Sequence, residues 1–479
     1  MTDFALLPFP ELKTSSPAID RAYRIALGDL IGNIRMFKDG LLNEPKPVLL
    51  AGLDYVTPWT RDAAINVWNG VGLYWPGVAR NTLLSVLERR HDNIFIGGQY
   101  WDAIIWAVGA WSYYLQTGDR EFLSIAFEAV RNSLAYFEKE EFDEQAGLFR
   151  GPAVYGDGVS AYPDRYSPGN TSSILDWVKA NPDKKVQQGF GIPMKTLSTN
   201  CVYAHAYHIA SLMSHECGAN LHPIYEARAE QLVDRIRKYF WNHKLGTLNY
   251  LIDSEGVSDF QEGLGHAFAM LFHVATAEQS ASILSKQHIT SAGIPCVWPS
   301  FPRYSALSGY GRHSGTVWPF ISGFWGEAAL RNGRSDLFER EFMILTENIN
   351  RSGQCAEIYD PDTAEVYGGL QENGGGPNGM EWTSCARQSW TASAYVRLLI
   401  NCLFGLQFSM DGITFSPHLP PDVNHAQMNG LRYRGCTIDL TVEGRGARVI
   451  DFQRNNEKTT PFLSANTRGV QHIQNQVGD

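Results

Sequence analysis

Two adjoining stretches decide the fold class, YWDAIIWAVGAWSYYLQTG at 100–118 and REFLSIAFEAVRNSLAYFEKEE at 120–141. Both repeat apolar residues every three or four positions, which is the spacing of an α-helix. The first is apolar and aromatic on nearly every side, whereas the second has one charged face. A helix of the first kind belongs in an interior, and one of the second kind packs over it with one face in water. The pair therefore predicts an inner helix followed by an outer helix.

The same alternation extends along the chain and predicts a mainly α protein. Two concentric layers of helices satisfy it, because each apolar helix is then covered by an amphipathic one. We predict an (α/α)6 toroid of helical hairpins. An open helical solenoid is the alternative, but the chain lacks the fixed repeat period of such arrays. The other periodic stretches lie at 18–34, 61–75, 79–90, 199–216, 222–241, 263–276, 277–286, 316–333, 334–353 and 387–405.

Beyond Gly405 the pattern changes to alternating apolar and polar residues. Turn signals at Asp411-Gly412 and at 444–446 separate the alternating runs, which predicts a small antiparallel β module. The domains expected are a helical barrel over 1–405, the β module over 406–452 and a polar tail over 453–479. The tail is expected to fray, because it has few apolar residues to bury.

Composition limits the possible partners. The chain of 479 residues has a net charge of −10 and no basic run, which argues against a nucleic-acid partner. Its 13 Trp, 21 Tyr and 24 Phe suit a large aromatic core, and also stacking on sugar rings. The start MTDFALLPFPELK has no signal-peptide pattern, and no apolar run is long enough to cross a bilayer. Seven cysteines without a CxxC pattern indicate reduced thiols. We expect a cytoplasmic protein without a membrane partner, metal or cofactor, and its oligomeric state stays open.

Four stretches combine acids with aromatic residues near the ends of predicted helices: WTRDAA (59–64), GGQYWDAIIW (97–106), GDGVSAYPDRY (156–166) and GQCAEIYDPDTAEVYGG (353–369). Each alone has an ordinary explanation as a helix cap, a turn or a local ion pair. Together they indicate another chemistry, because cleavage of a glycosidic bond requires two carboxyl groups flanking the anomeric carbon. In a toroid such loops gather at one end of the barrel.

These stretches resemble the six-hairpin glycosidases, and most closely glycoside hydrolase family 63 with its trehalase and glucoamylase relatives. WTRD is similar to the Trp-x-Arg-Asp element of that family, and DAIIW (102–106) to its Asp-Ala-x-x-Trp element. GDGVS partly matches the context of the family's acid. EIYDPDTA matches the Glu-x-Tyr-x-Pro-x-Thr-Gly context of its base, with Ala364 where the family has Gly. QSWTASAYVRLL resembles its closing helix, with Thr391 in place of Ser.

The resemblance implies that Asp157 is the general acid and Glu357 the general base. Asp157 is expected to be kept protonated by apolar surroundings. The implied activity is that of an inverting, exo-acting glycosidase on an α-linked glucoside or a related short oligosaccharide, with the two carboxyl groups about 6.5–9.5 Å apart. The residues expected to bind the sugar are Trp59, Arg61, Asp62, Gln99, Tyr100, Trp101, Asp102, His313, Trp318, Glu381, Trp382 and Trp390.

Several alternatives stay open. Glu381 is a second candidate for the base. RHSGTVWPF (312–320) resembles disaccharide phosphorylases with a related toroid, in which Arg312 and His313 would hold phosphate. Two further hypotheses are an α-L-rhamnosidase-like hydrolase and a non-enzymatic toroid that binds a protein. His205 and His208 have no third ligand at supporting spacing for a metal site. Asn200 and His205 are expected to line the pocket or to lie in the core, and Glu262 and His266 are expected to line the cavity.

Overall fold

Helices dominate the chain up to residue 403 and strands dominate beyond it, in a computed structural model that describes residues 7–167, 172–372 and 380–478. The long helices, in chain order, are α1 (Pro17–Gly32), α2 (Thr60–Asn66), α3 (Pro76–Leu84), α4 (Trp106–Thr117), α5 (Arg120–Glu141), α6 (Leu197–Glu216), α7 (His222–Phe240), α8 (Gly263–Leu271), α9 (Ala277–Lys286), α10 (Pro319–Arg331), α11 (Ser335–Ser352) and α12 (Ser389–Arg397).

The even-numbered helices are buried on most sides, and each contacts the next. Contacts between α12 and α2 close them into a ring of six. The odd-numbered helices are amphipathic and pack outside this ring. Their apolar faces are buried and their charged faces are wet, as for α5, where Phe122 and Phe137 are buried. The alternation of inner and outer helices therefore agrees with the sequence-based prediction.

Short irregular helices extend or precede some members of the ring. α2 continues through a π-helical turn at Val67–Val71 and a last turn at Gly72–Tyr74, and α12 continues through a π-helical segment at Leu398–Leu403. A 3₁₀ turn at Ala103–Ile105 precedes α4. The remaining short helices are Val159–Ala161, Asp164–Tyr166, Ile174–Ala180 and Pro302–Ser305.

Local signals set several helix ends. Asp119 caps α5, because its carboxylate accepts a hydrogen bond from the backbone N–H of Phe122 at 3.0 Å. Pro319 begins α10, where its missing N–H costs nothing. The helix predicted over 263–276 ends at Leu271, since His273 takes a left-handed φ of 56° that interrupts helical geometry. The helix predicted from residue 100 begins only at 103, because 99–102 form a turn.

Short strands connect the helices at one end or the other. Most are two-stranded antiparallel hairpins or pairs. They are Ile34–Phe37 with Lys46–Leu49, Leu87–Arg90 with Asn93–Ile96, Phe142–Asp143 with Leu148–Phe149, Trp241–Asn242 with Thr247–Leu248, Gln261–Glu262 with Val297–Trp298, Leu370–Gln371 with Met380–Glu381, and the trio Lys195–Thr196, Leu251–Asp253 and Gly256–Ser258.

The C-terminal part of the chain forms two sheets. The strands Leu406–Phe408, Gly412–Phe415 and Phe462–Ser464 make a small antiparallel one. The larger sheet has the order β1-β2-β3-β6-β4-β5, and only β3 and β6 run parallel. Its strands are β1 (Glu11–Thr14), β2 (His425–Tyr433), β3 (Cys436–Gly444), β4 (Arg448–Arg454), β5 (Glu457–Lys458) and β6 (Gly469–Gly478).

The prediction of a fraying tail after Phe452 is wrong, because β6 lies between β3 and β4 in the larger sheet. Ile473 and Val477 point into the core, but the inward positions between and before them are polar. Gln471 and Asn475 are buried there, which breaks the apolar alternation that would have revealed a strand. The division into a helical domain and a β module stays a prediction.

Within the described ranges, every helix is too short or too polar to traverse a lipid bilayer. All seven cysteines are unpaired, and all of them except Cys217 are buried. The thiols of the six buried cysteines therefore belong to the packed interior.

Candidate active site

The amino-terminal ends of the ring helices surround a cavity of about 270 Å³. Residues at the start of α2, in the turn before α4 and at the starts of α10 and α12 line it, together with the loops that precede α6 and α12. Ten of the fourteen sequence-predicted site residues line this cavity. They are Trp59, Arg61, Asp62, Gln99, Asp102, Asp157, Trp318, Glu357, Trp382 and Trp390.

Glu357 is almost fully buried, and its carboxylate accepts hydrogen bonds on both oxygens. Oε2 accepts from Nη2 of Arg312 at 2.7 Å and from the backbone N–H of Cys385 at 3.0 Å. Oε1 accepts from the Tyr55 hydroxyl at 2.9 Å, with Nε2 of Gln388 at 3.5 Å. Because every neighbour donates, the site holds this group as a fixed hydrogen-bond acceptor, which suits a base that orients water.

Arg312 itself is tightly positioned. Its Nη1 donates to the carbonyl oxygens of Gly368 at 3.1 Å and Thr383 at 3.2 Å, and the guanidinium lies over the ring of Trp318. Its pKa is raised by the adjacent Glu357, against the opposing effect of burial. The guanidinium is therefore committed to the carboxylate and to the cavity wall.

Arg61 joins three segments of the site. Its Nη1 donates to Oδ2 of Asp102 at 3.0 Å and to the carbonyl oxygen of Val154 at 3.0 Å. Its Nη2 lies 3.9 Å from Oδ2 of Asp157. The start of α2, the turn before α4 and the loop that carries Asp157 are thereby held together by one cation.

Asp157 does not lie in apolar surroundings, so that expectation is wrong. Its side chain is 49% exposed and has the Arg61 guanidinium as its ionic neighbour. It is on a loop, as the flanking glycines predicted. Those glycines serve close packing: a Cβ at Gly156 would be 2.2 Å from the Tyr162 hydroxyl, and one at Gly158 would be 2.1 Å from Oε1 of Gln371.

Two buried aspartates complete the charge pattern. Burial raises the pKa of Asp62 to about 7 and that of Asp102 to about 7, although Arg61 opposes both shifts. Near neutral pH each is therefore partly protonated. A carboxyl group in that state both donates and accepts hydrogen bonds, as the hydroxyls of a sugar do.

Four predicted site residues lie elsewhere. Tyr100 stacks on Phe190, and Trp101 is fully buried, because the turn over 99–102 presents Gln99 and Asp102 to the cavity instead. Glu381 is exposed on a strand paired with Leu370, outside the cavity. Its position argues against the alternative that it is the base.

His313 is the fourth. Its buried ring stacks between Trp318 at 4.5 Å and Tyr155 at 5.7 Å, and Nδ1 is 3.0 Å from Oγ of Ser160. Burial and the nearby arginines hold its pKa well below the usual value, so the ring is neutral. A neutral, buried imidazole is a poor phosphate ligand, and the phosphate role expected for His313 is not supported.

Sequence reasoning missed several cavity residues. Tyr55 lies four positions before Trp59, and Gln388 opens the closing SWTAS segment, so both had a signal in their motif neighbours. Tyr155 reaches the cavity from a loop and Gln371 from the short strand Leu370–Gln371, and neither carried such a signal. Of the other polar residues expected in the pocket or core, Asn200, Glu262 and His266 are buried outside this cavity, and His205 is half-buried. Asn200 bonds to backbone groups of Phe149, and His266 to Gln287 and Leu248. Over the described ranges no cluster of three or more metal-ligating side chains occurs.

Glu262 is fully buried outside the cavity, and its isolation predicts a pH-dependent stability. Burial raises its pKa to about 8, against hydrogen bonds from Ser198. The unfolded chain loses this proton near pH 4.5 and the folded chain only near pH 8, so rising pH favours unfolding between these values.

We expect the free energy of unfolding of Glu262→Gln to exceed that of the unmodified chain at pH 8 by roughly 2–4 kcal/mol, and to match it near pH 4.5. Urea titrations at both pH values measure this, and an equal difference at both would contradict it.

The family model described as "Mannosylglycerate hydrolase MGH1-like glycoside hydrolase domain" matches residues 103–391. No curated protein matches the chain.

Several solved structures share the fold at low sequence identity. A sialidase superposes with a TM-score of 0.66 at 14% identity, over 94% of this chain and 40% of that one. A GH78 family rhamnosidase of Bacillus sp. GL1 gives 0.60 at 17%, over 98% and 44%. The GH63 mannosylglycerate hydrolase from Thermus thermophilus gives 0.53 at 14%, over 78% and 99%. The chain spans less than half the length of the first two.

Proposed function

Because the chain belongs to the mannosylglycerate hydrolase MGH1-like glycoside hydrolase family, we propose that it hydrolyses a short, neutral α-linked glycoside, such as a glucoside, from its end and with inversion. The observation that carries the proposal is the one cavity shared by Asp157 and Glu357, each with its own arginine. The closed ring of six inner helices, each alternating with an outer one, supports the assignment of an (α/α)6 toroid.

The positions of Asp157 and Glu357 in the ring support their roles as general acid and general base. The loop with Asp157 precedes α6 and the loop with Glu357 precedes α12, so they lie three helices apart in a ring of six. Side chains from these loops approach a bound sugar from opposite sides, as an inverting mechanism requires.

In the proposed reaction Glu357 takes a proton from a water molecule as the water oxygen bonds to the anomeric carbon. Asp157 gives its proton to the glycosidic oxygen as the bond from that oxygen to the anomeric carbon breaks. Water remains the acceptor rather than phosphate, because Arg312 is already paired with Glu357.

The charged residues of the cavity indicate which leaving groups a substrate can carry. Carboxyl groups of Asp62, Asp102, Asp157 and Glu357 line it against two guanidiniums, those of Arg61 and Arg312, which are both paired. Because both guanidiniums are already paired, a carboxylate on the substrate would find no uncommitted cation among the described residues that line the cavity. The proposed substrates are therefore neutral glycosides.

A matched pair of substrates tests this choice. We expect kcat/KM for glucosylglycerol to exceed that for glucosylglycerate about tenfold or more, with the mannosyl pair measured in parallel. Sugar release is followed with and without phosphate. Faster cleavage of the glycerate would overturn the neutral-substrate proposal, and turnover that requires phosphate would favour a phosphorylase. Cleavage of α-L-rhamnosides alone would favour the rhamnosidase-like alternative.

A further inference from the structure

A second cavity, of about 570 Å³, lies toward the opposite end of the ring. It is lined by the carboxyl-terminal halves of α4 and α6, by the ends of α8, α10 and α12, and by one side of α7. It shares no lining residue with the candidate active site. Its volume is in the range of pockets that enclose small organic ligands.

Half of the residues that line this far-end cavity are apolar or aromatic, and the other half are polar or charged. Trp68 belongs to the π-helical turn that extends α2, and Asn401 belongs to the π-helical segment that extends α12. Single π-helical turns are rare and are frequently found at functional sites. Two of them, from neighbouring ring helices, present side chains to the same space. The main apolar wall residues are Trp68, Trp111, Leu212, Val233, Phe272 and Phe408.

Two arginines at this cavity share one carboxylate. The buried Glu327 has Nε of Arg397 2.6 Å from its Oε2, and Arg331 pairs with its Oε1. Nδ2 of Asn401 also donates to Oε2, at 3.0 Å. One positive charge is thus left in excess. Burial lowers the pKa of Arg397, Glu327 opposes this, and Arg331 adds to the lowering.

Two donor groups near the excess charge are uncommitted. The faces of the Arg397 guanidinium are covered by Trp68 at 4.3 Å and Phe324 at 4.5 Å, which leaves its edge to bind a ligand. Nη1 on this edge donates to Asn69, at 3.2 Å. Nη2 of Arg397 and the indole N–H of Trp68 have no hydrogen-bond acceptor in the portion of the chain that the structure describes. An edge of N–H groups with a net positive charge is the chemistry that recognises a carboxylate.

The acids near this cavity do not cancel that charge. Glu226, Glu230 and Asp234 lie on α7 at the more exposed side, where water and salt screen them, and Glu226 is 3.1 Å from His208. His205 stacks on Phe272 at 4.0 Å, and burial lowers its pKa to about 3, so its ring is a neutral part of the wall.

We propose that the far-end cavity binds a small organic carboxylate with a flat apolar body. Its carboxylate pairs with the edge of Arg397, and its body packs against the aromatic wall that includes Trp68. The site is separate from the cleavage reaction and does not depend on the function proposed above.

Calorimetric titration of the full chain with benzoate tests this, with benzyl alcohol as the uncharged match. We expect saturable binding of one benzoate with a Kd of about 1 mM or tighter, and about tenfold weaker binding of the alcohol. Equal affinity for the two compounds, or no saturation of benzoate binding by about 10 mM, would overturn the proposal.

Two variants locate the binding. Arg397→Met leaves Glu327 paired with Arg331 and Asn401, so no buried carboxylate is stranded. Ser112→Phe fills the cavity from α4 without removing a charge. Each should weaken benzoate binding about tenfold or more, whereas Arg445→Met, an exposed arginine outside the cavity lining, should not. Circular dichroism verifies folding. Unchanged affinity in a folded Ser112→Phe would place benzoate elsewhere and refute the assignment, even if Arg397→Met does not fold.

Discussion

Replacing Glu357 with Gln should lower kcat about a thousandfold or more, with the fold intact. The amide cannot take a proton from water, although it keeps the size of the carboxylate and its one oxygen can still accept hydrogen bonds from Arg312 and from the backbone N–H of Cys385. KM should change far less than kcat, because the loss falls on the transition state rather than on sugar binding. Initial rates on the best cleaved glycoside, with circular dichroism on the same samples, measure the effect.

Glu381→Gln is the matched control for this loss, because it makes the same change at the alternative candidate for the base. Glu381 is exposed and outside the cavity, so its variant should retain kcat within about twofold. A large loss at Glu381 together with a nearly active Glu357 variant would reverse the assignment of the base.

Replacing Asp157 with Asn should slow cleavage according to the leaving group. A glycoside whose leaving oxygen is strongly basic needs a proton from the acid, so its turnover should fall about a thousandfold. A glycosyl fluoride leaves without protonation and should be cleaved at a rate within about tenfold of that of the unmodified chain. The ratio of the two rates in the variant is the quantity to measure.

Asp164→Asn is the control on the same loop, since Asp164 pairs with Arg303 away from the cavity lining. It should lower the rates on both substrates equally, if at all. If Asp157→Asn also loses activity equally on both substrates, Asp157 acts in binding or positioning and another group is the acid.

The fold could be predicted from local sequence patterns because the inner helices are buried on most sides, whereas each outer helix has one face in water. The apolar stretch at 100–118 and its charged neighbour at 120–141 carry that difference in their own composition. Strand β6 does not, because Gln471 and Asn475 occupy inward positions and the strand depends on partners far along the chain.

The residues of the candidate site also differ in whether the sequence alone revealed them. Arg61 and Asp102 were found through their own motifs, WTRD and DAIIW. His313 was misplaced because its sequence proximity to Arg312 does not reveal that its ring stacks between Trp318 and Tyr155. The donors around Glu357 come from distant segments: Tyr55 and Cys385 meet there only after the ring closes. Such convergence is a property of tertiary packing, which local spacing does not encode.

Proton NMR of the first anomer released tests the central claim most directly. The unmodified chain is mixed with a cleavable α-glucoside in phosphate-free buffer, and spectra are recorded before mutarotation equilibrates the product. Inversion by Asp157 and Glu357 predicts that β-glucose appears first, and that Glu357→Gln releases neither anomer at a comparable rate. Initial release of α-glucose would mean retention of configuration and would contradict the assignment of Glu357 as a base that activates water.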